Sequence, residues 1–419
     1  MTFKASIANH YPALTSRDFL IFWVGQFISL TGTWMQNTTQ PYLAYRISGR
    51  PFDLGVIGFA ATLPTLLFAL PAGVIIERLD KRKVVIWMQI ISMLQAFVLA
   101  ALTLSGVVQI WHMIALSFML GVAGTFEITA RQAMIIELVG RESLPNALAL
   151  QSTAFNLARI FGPSLSAPFM VLLGNQGEGW AFFANGVSYL FVLAGLFFLR
   201  TPFKAPPAQE SKKWLDDFRE GQAYILQNGV IGMIVLMAGI TGLIGLPFLQ
   251  QVPAVAKDLL AQVGDTDAVL AARYSLLYAF QGIGALAASF MIASHNWRRK
   301  GQVLLIGQVA FMLGLLAIGL VHDANAAFLL IGVIGWGSVS QLAMMNILIQ
   351  TNVPDNLRGR VFSAYLWALQ GVAPAGSLLV GWMAQTWGVG PTAIVSGLVS
   401  LLVIGGLHLA KPTLRMQET

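Results

Sequence analysis

The chain contains no cysteine, and only 10% of its 419 residues are charged. The missing cysteine excludes disulfides, thiol catalysis and Cys-based metal sites, and says nothing of compartment. A soluble globular protein is about 25% charged, so the low figure excludes a string of soluble domains. Acidic residues are scarcer than basic ones, 18 against 25, which leaves a net charge of +7. In a soluble protein that excess would suggest nucleic acid. Here it has a plainer origin, because basic residues collect in the cytoplasmic loops of membrane proteins, and no nucleic-acid partner is expected. Enzyme signatures are also missing. There is no Gly-rich Lys-Ser/Thr phosphate loop, so ATP hydrolysis is not the energy source on this chain, and no His-Glu-x-x-His or Gly-x-Ser-x-Gly. His10, His112, His295, His322 and His408 are scattered without metal-ligand spacing. No metal and no cofactor is expected, and the chain is not expected to be an enzyme.

What is present is apolar. Hydrophobic residues make up 56%, with 41 Gly and 11 Trp, the composition of packed membrane helices. Spans of about 20–25 residues are expected at 19–45, 54–76, 84–105, 110–137, 146–173 and 180–199. The second half gives 229–251, 270–294, 301–321, 325–352, 357–385 and 390–410. Pro247 and Pro253 interrupt the seventh. The stretch from Met1 to Asp18 lacks a charged segment followed by a small-residue cleavage site, so no removable signal is read. The expectation is an all-α polytopic membrane protein of twelve transmembrane helices in two pseudo-symmetric six-helix halves.

Orientation follows from the basic residues. With both termini in the cytoplasm, nineteen of the 25 Lys and Arg fall on that side, among them the clusters Arg78 to Lys83 and Arg298 to Lys300. Arg46, Arg50, Lys257 and Arg273 fall outside, and Arg131 and Arg159 lie within spans. This is a strong positive-inside signal.

Residues 1–199 form the first expected half, 200–228 a linker and 229–419 the second half. The linker carries Pro202, Pro206 and Pro207. Trp214, Phe218 and Ile225 follow at helical spacing beside charges, which fits a short helix on the membrane surface or a plain solvated connector. The halves rhyme. Basic turns join spans two to three and eight to nine, and the loops Arg141-Glu142-Ser143-Leu144-Pro145 and Pro354-Asp355-Asn356-Leu357-Arg358 open spans five and eleven. Duplication of a six-helix unit is the signature of a secondary transporter with its site between the repeats.

The sharpest motif is Gly73-Val-Ile-Ile-Glu77-Arg78-Leu-Asp80-Lys81-Arg82-Lys83. It resembles the loop motif of the major facilitator superfamily, a Gly, three residues, Asp-Arg, any residue, Gly and two or three basic residues. Glu77 replaces the usual Asp and Asp80 the usual Gly, so a tight turn at Asp80 would need a strained or left-handed conformation that Asp tolerates better than most. The resemblance implies a cytoplasmic gate in which Gly73 permits close helix approach and Arg78 or Arg82 joins Glu137. Read from residues alone, the segment is equally a positive-inside anchor. Ala158-Arg-Ile-Phe-Gly162-Pro163-Ser-Leu-Ser166-Ala167 resembles the superfamily's antiporter motif, Gly-x3-Gly-Pro-x2-Gly-Gly, with small residues at three of its glycines. It implies export, and packing of span five on span eight, where Gly282 and Gly284 lie. Ile128 to Ala133, Arg141 to Ala147 and Gln350 to Val361 are similar to the branch containing the enterobactin exporter and related efflux proteins. The resemblance covers both halves and bears on fold and transport more than on substrate.

Charges inside spans cost several kcal/mol unless paired or wetted. Glu127 and Arg131 sit four apart on one helical face and can pair; Arg159 lies on span five. Glu127 could carry a coupling proton tuned by Arg131, or the pair could be a static packing device. Span one carries Gln36, Asn37, Thr38, Thr39 and Gln40 in a row, which cannot all face lipid. Gln36, Asn37 and Gln40, with Gln281 on span eight and Trp336, Gln341 and Asn346 on span ten, are candidates for a cavity suited to a bulky amphipathic solute, or for interhelical packing. The resulting expectation is a monomeric, proton-driven exporter of a siderophore or hydrophobic drug-like compound in the inner membrane. A lipid or lysolipid flippase, and a membrane-embedded receptor or enzyme, are the alternatives.

Overall fold

The structure, a computed structural model, describes residues 11–201, 214–295 and 297–410. The apolar runs fold as helices whose ends are set by caps and glycines. Helix α1 spans Arg17–Ser48, α2 Pro51–Glu77 and α3 Lys81–Leu104. Asp80 starts α3 as an N-cap, its carboxylate accepting from the Lys83 amide at 3.2 Å. Its backbone is extended at φ −66°. The expected left-handed turn at Asp80 is therefore corrected: a capping carboxylate satisfies an orphan amide of the helix start, and no strain is involved.

Helix α4, Ile110–Leu172, runs 63 residues but turns at Gly140, whose φ of 74° and ψ of 171° no β-carbon residue adopts comfortably. Its arms, 110–139 and 141–172, occupy the expected fourth and fifth spans. Pro145 falls early in the second arm, so the break lies five residues before it. Helix α5, Gly177–Phe197, completes this set. Later come α6 (Trp214–Gln227), α7 (Gly229–Ile240), α8 (Asp267–Ser294), α9 (Lys300–Ile318) and α10 (Ala324–Asn352). Three more close the chain, α11 (Asp355–Leu366), α12 (Ala373–Trp387) and α13 (Val389–Ala410). Thr266 and Asp323 cap α8 and α10. Between α7 and α8 the chain continues through π-helical Thr241–Gly245 and Val255–Leu259, with short helical pieces at Pro247 and Pro253. A third π segment, Trp367–Gly371, joins α11 to α12. Ten helices, with kinked α4 counted once, are long and apolar enough to cross a membrane.

The described residues fall into two compact units. The first holds 11–43 and 63–201. Its α3 packs on α5 and α4 around a core that includes Phe19, Phe22, Ile76, Val85, Met134 and Val192. The end carrying Arg78 to Lys83, here termed the basic end, is clamped by Asp18. That carboxylate accepts from the Arg200 and Thr201 amides and the Thr201 hydroxyl, each at 2.8 Å, tying the start of α1 to the chain beyond α5.

The second unit holds 44–62 and 214–410. Helix α10 lies between α8 and α9, and α9 packs on α13. The connector between α1 and α2 belongs here: Gln251 Nε2 donates to the Pro51 carbonyl at 3.3 Å, and Gly55 abuts the Ser377 carbonyl. The segment joining the expected halves is helical as α6 and docks on α11, where Gly221 packs against Arg360 and Glu220 pairs with Arg360.

Candidate functional site

Polar residues spaced along apolar helices meet inside the first unit. On the first arm of α4, Arg131 Nε lies 2.9 Å from Glu127 Oε1, the i,i+4 geometry of one helical face. Glu127 is 9% exposed. Its Oε1 also accepts from Gln89 Nε2 on α3 at 3.3 Å, and Arg131 Nη1 reaches Gln151 Oε1 on the second arm of α4 at 3.4 Å. A buried charge held this way is paired and hydrogen-bonded, which is what permits it away from water. The pair thus bridges three helical segments.

Gln36 and Gln40 sit in a second cluster. Gln36 Nε2 donates to Gln95 Oε1 at 3.0 Å and to Gln40 Oε1 at 3.4 Å, while Asn185 Nδ2 donates to Gln36 Oε1 at 2.8 Å. Gln40 Nε2 donates to Ser117 Oγ at 2.6 Å. Gln36 is fully buried and Gln40 nearly so, whereas Asn37 is exposed. Four helices, α1, α3, α4 and α5, are stitched by this amide belt. Gln36 and Gln40 therefore serve as interhelical polar contacts, and of the three candidates on span one only Asn37 offers its side chain outward. Gln95, Asn185, Ser117 and Gln89 were missed from the sequence. The available signal was a lone amide or hydroxyl in an otherwise apolar span, which in a membrane must find a partner.

The motif at the basic end is assembled differently from the expectation. Glu137 pairs with Lys81, not with Arg78 or Arg82. Both termini of that pair are largely buried, because Lys81 opens α3 directly beside the end of the first arm of α4. Arg82 Nη2 donates to the Phe197 carbonyl at the end of α5, 3.2 Å away, and Arg78 is exposed. Glu77 closes α2; its side chain lies outside the described set. A Cβ on Gly73 would meet open space, so close helix approach is not its role here.

The antiporter-like segment lies on the second arm of α4. A Cβ on Gly162 would come within 2.5 Å of Trp34 Cβ, 2.7 Å of the Met35 amide nitrogen and 2.8 Å of the Thr31 carbonyl. Ala158 and Ser166 are fully buried, Pro163 is buried and Ala167 half-buried. Gly162 thus packs on α1 within the first unit. Arg159 lies over the Trp34 ring, 5.5 Å from its centroid. Gly284 of α8 has its own partner in the second unit, the Gly332 carbonyl of α10.

In that second unit Gln281 and Gln341 are buried and Trp336 and Asn346 half-buried. Thr241 donates to Gln341 Oε1 at 3.5 Å from the π segment after α7, and Asn346 accepts from Gln350. Gln281 lies at the α8–α10 crossing, where its carbonyl abuts Gly335. These four are not brought into one cluster.

An all-helical chain with spans apolar enough for a bilayer, a buried ion pair and interhelical amides is built as a polytopic membrane transporter. The chain belongs to the family described as transmembrane secretion effector, a branch of the major facilitator superfamily, which matches residues 8–419. It is 25% identical over 403 residues to the staphyloferrin A transporter of Staphylococcus aureus, covering 93% of each chain. To the multidrug efflux pump Tap of Mycolicibacterium fortuitum it is 23% identical, covering 90% of this chain and 91% of that one. To the enterobactin exporter EntS of Citrobacter koseri it is 23% identical, covering 96% and 92%. Among solved structures, a bacterial homologue of the human lysosomal transporter Spinster superposes with a TM-score of 0.70 at 14% identity, covering 96% and 98%. The nucleoside transporter NupG gives 0.69 at 13%, covering 94% and 98%. At these identities the likeness is one of fold. The family and these relatives are transporters and not enzymes.

Proposed function

We propose that this protein is a proton-coupled exporter of a small organic molecule, either a siderophore or a hydrophobic drug-like compound. The names of its relatives support the substrate class, two siderophore carriers and one drug pump. The observation that carries the coupling is the Glu127–Arg131 pair, a carboxylate inside a membrane span with one cationic partner at 2.9 Å and one amide donor. Intramembrane carboxylates of this kind mark ion pathways. Glu127 would take up the proton, and loss of its charge would free Arg131 to re-pair through Gln151. The proposed architecture is twelve spans, with the two arms of α4 as the fourth and fifth. They form two six-helix halves that rock about a midplane cavity, with both termini cytoplasmic in the inner membrane and one chain as the working unit. The basic end of the first unit is then cytoplasmic.

The test uses purified protein in vesicles loaded with a fluorescent pH indicator. Staphyloferrin A, enterobactin and ethidium are added singly. Proton movement triggered by one of them, and abolished in Glu127→Gln at normal protein level, is the expected result. Substrate movement with no proton response would return the pair to a packing role.

A further inference from the structure

The two polar clusters of the first unit are not separate. Between the amide belt and Glu127 stands Tyr189 on α5, 4% exposed. Its hydroxyl lies 3.1 Å from Thr33 Oγ1, and Tyr189 stands one helical turn along α5 from Asn185. On α3, Gln89, Ser92 and Gln95 fall on one buried face. By hydrogen bond and by helix face the side chains follow in a file: Ser117 and Gln40, then Gln36, Gln95 and Asn185, then Ser92 on the α3 face with Tyr189 and Thr33, then Gln89 and Glu127, with water required where no bond joins them. Along α4, Ser117 precedes Glu127 by ten residues, a rise of about 15 Å. That is about half of a hydrocarbon core of about 30 Å.

Two atoms in the file have no partner. Gln95 Nε2 and Gln89 Oε1 are buried, in residues 0% and 4% exposed. An unpaired buried amide costs about 1–3 kcal/mol, and ordered water is the usual remedy. Amides alone do not relay protons at useful rates; hydroxyls and waters do. The file supplies both, with hydroxyls on Ser117, Thr33, Ser92 and Tyr189.

We propose that this file is the route by which protons reach Glu127 from the end of the unit opposite the basic motif, carried by its hydroxyls and by waters held at the Gln89 and Gln95 amides. The inference rests on Glu127 as the coupling carboxylate. Each hydroxyl or water accepts one proton and passes one on, so the only net change is Glu127 carboxylate to carboxylic acid. The groups facing Glu127 are Arg131 on its own helix, Gln89 on α3 and Tyr189 on α5, with Gln151 reached through Arg131. The Glu137–Lys81 pair lies ten residues further along α4 toward the basic end. Protons would thereby arrive through the interior of one helical bundle, leaving a substrate pathway free of them.

The probe is the proton alone. Right-side-out membrane vesicles enriched in the full chain receive an external pH drop, and Glu127 protonation is followed by time-resolved difference infrared of its carboxyl band, assigned by its absence in Glu127→Gln. Gln95→Met and Tyr189→Phe should slow the band tenfold or more with unchanged final amplitude. Should either fold poorly, Ser92→Ala removes one hydroxyl and leaves the amide belt intact; it should slow the band several-fold. Wild-type rates in the folded variants would overturn the route while leaving Glu127 as coupling group. A spectrum in which Glu127→Gln removes no band would overturn the coupling reading itself, and the route with it.

Discussion

The two compact units handle polarity in different ways. In the first, apart from the break at Gly140, polarity resides in side chains: an ion pair, an amide belt and buried hydroxyls on α1, α3, α4 and α5. In the second, polarity resides more in the backbone. Three π segments interrupt the helices, and two of them touch, with Gly242 against the Leu369 carbonyl. A π turn displaces carbonyls from the helical ladder and recurs at functional sites. Buried side chains there more often lack partners, including Ser340, Ser377, Ser396 and Ser400. The contrast is one of side-chain partners, since close backbone approach occurs in both units, at Gly162 in the first as at Gly242 in the second.

Added volume should cost most where backbone meets backbone. A Cβ on Gly284 would run into the Gly332 carbonyl of α10, backbone against backbone. Overpacking costs about 1–3 kcal/mol when neighbours can shift and more when they cannot. Gly284→Val is therefore expected to abolish recovery of folded protein after detergent extraction, read by size-exclusion chromatography. Gly73→Ala is the counterpart. It meets open space, and Ala is the better helix former by about 1 kcal/mol, so unchanged or slightly raised thermal stability is expected. Equal losses in the two variants would remove the packing argument.

The first unit should in turn be more sensitive to removal of a charge. Arg131→Met leaves the Glu127 carboxylate buried with only Gln89 to offset it. Breaking a buried pair on one side costs about 3–5 kcal/mol, and the double variant Glu127→Gln, Arg131→Met should recover most of that loss because no charge is stranded. In the second unit, Glu220→Gln breaks the Arg360 pair on an exposed face. Surface pairs are worth about 0–1 kcal/mol, so its melting temperature should barely move. Thermal unfolding in one detergent reads all of these.

Much of this was legible in the sequence. The apolar runs located the helices, and the positions of Glu127 and Arg131 sufficed to pair them, because four residues along one helix fix a face. The helix at Trp214 was legible for the same reason. Helical spacing names a face and not the helix opposite, so α1 as the cover of Gly162 was not read, and Glu137 was assigned to arginines although Lys81 takes it. The π segments left no signal beyond Pro247 and Pro253, since they are choices of the backbone. Residues 44–62 were placed by their order in the chain, whereas their packing puts them with the second unit. The Asp18 clamp was equally hidden, because its partners lie some 180 residues away.

That clamp separates the units by pH. Burial alone would raise the Asp18 carboxyl, but the Thr201 hydroxyl and two backbone amides, with Arg17 beside it, outweigh burial and hold it below the usual carboxylate range. A carboxyl depressed by folding contributes stability above its unfolded value, about 3.9, and that contribution is lost as pH falls through the lower folded value. Asp265 in the second unit is also depressed, by its bond from Arg273 and then by the Gln262 amide. Its side chain is 14% exposed against 11% for Asp18, but its bonds close within the loop and the start of α8, whereas Asp18 ties together chain segments some 180 residues apart. Asp18→Asn should therefore lower the melting temperature at pH 7 and flatten its fall below about pH 4. Asp265→Asn should produce the same change in smaller measure. A steeper acid limb in Asp265→Asn than in Asp18→Asn would reverse the ranking and place the more pH-dependent contact in the second unit.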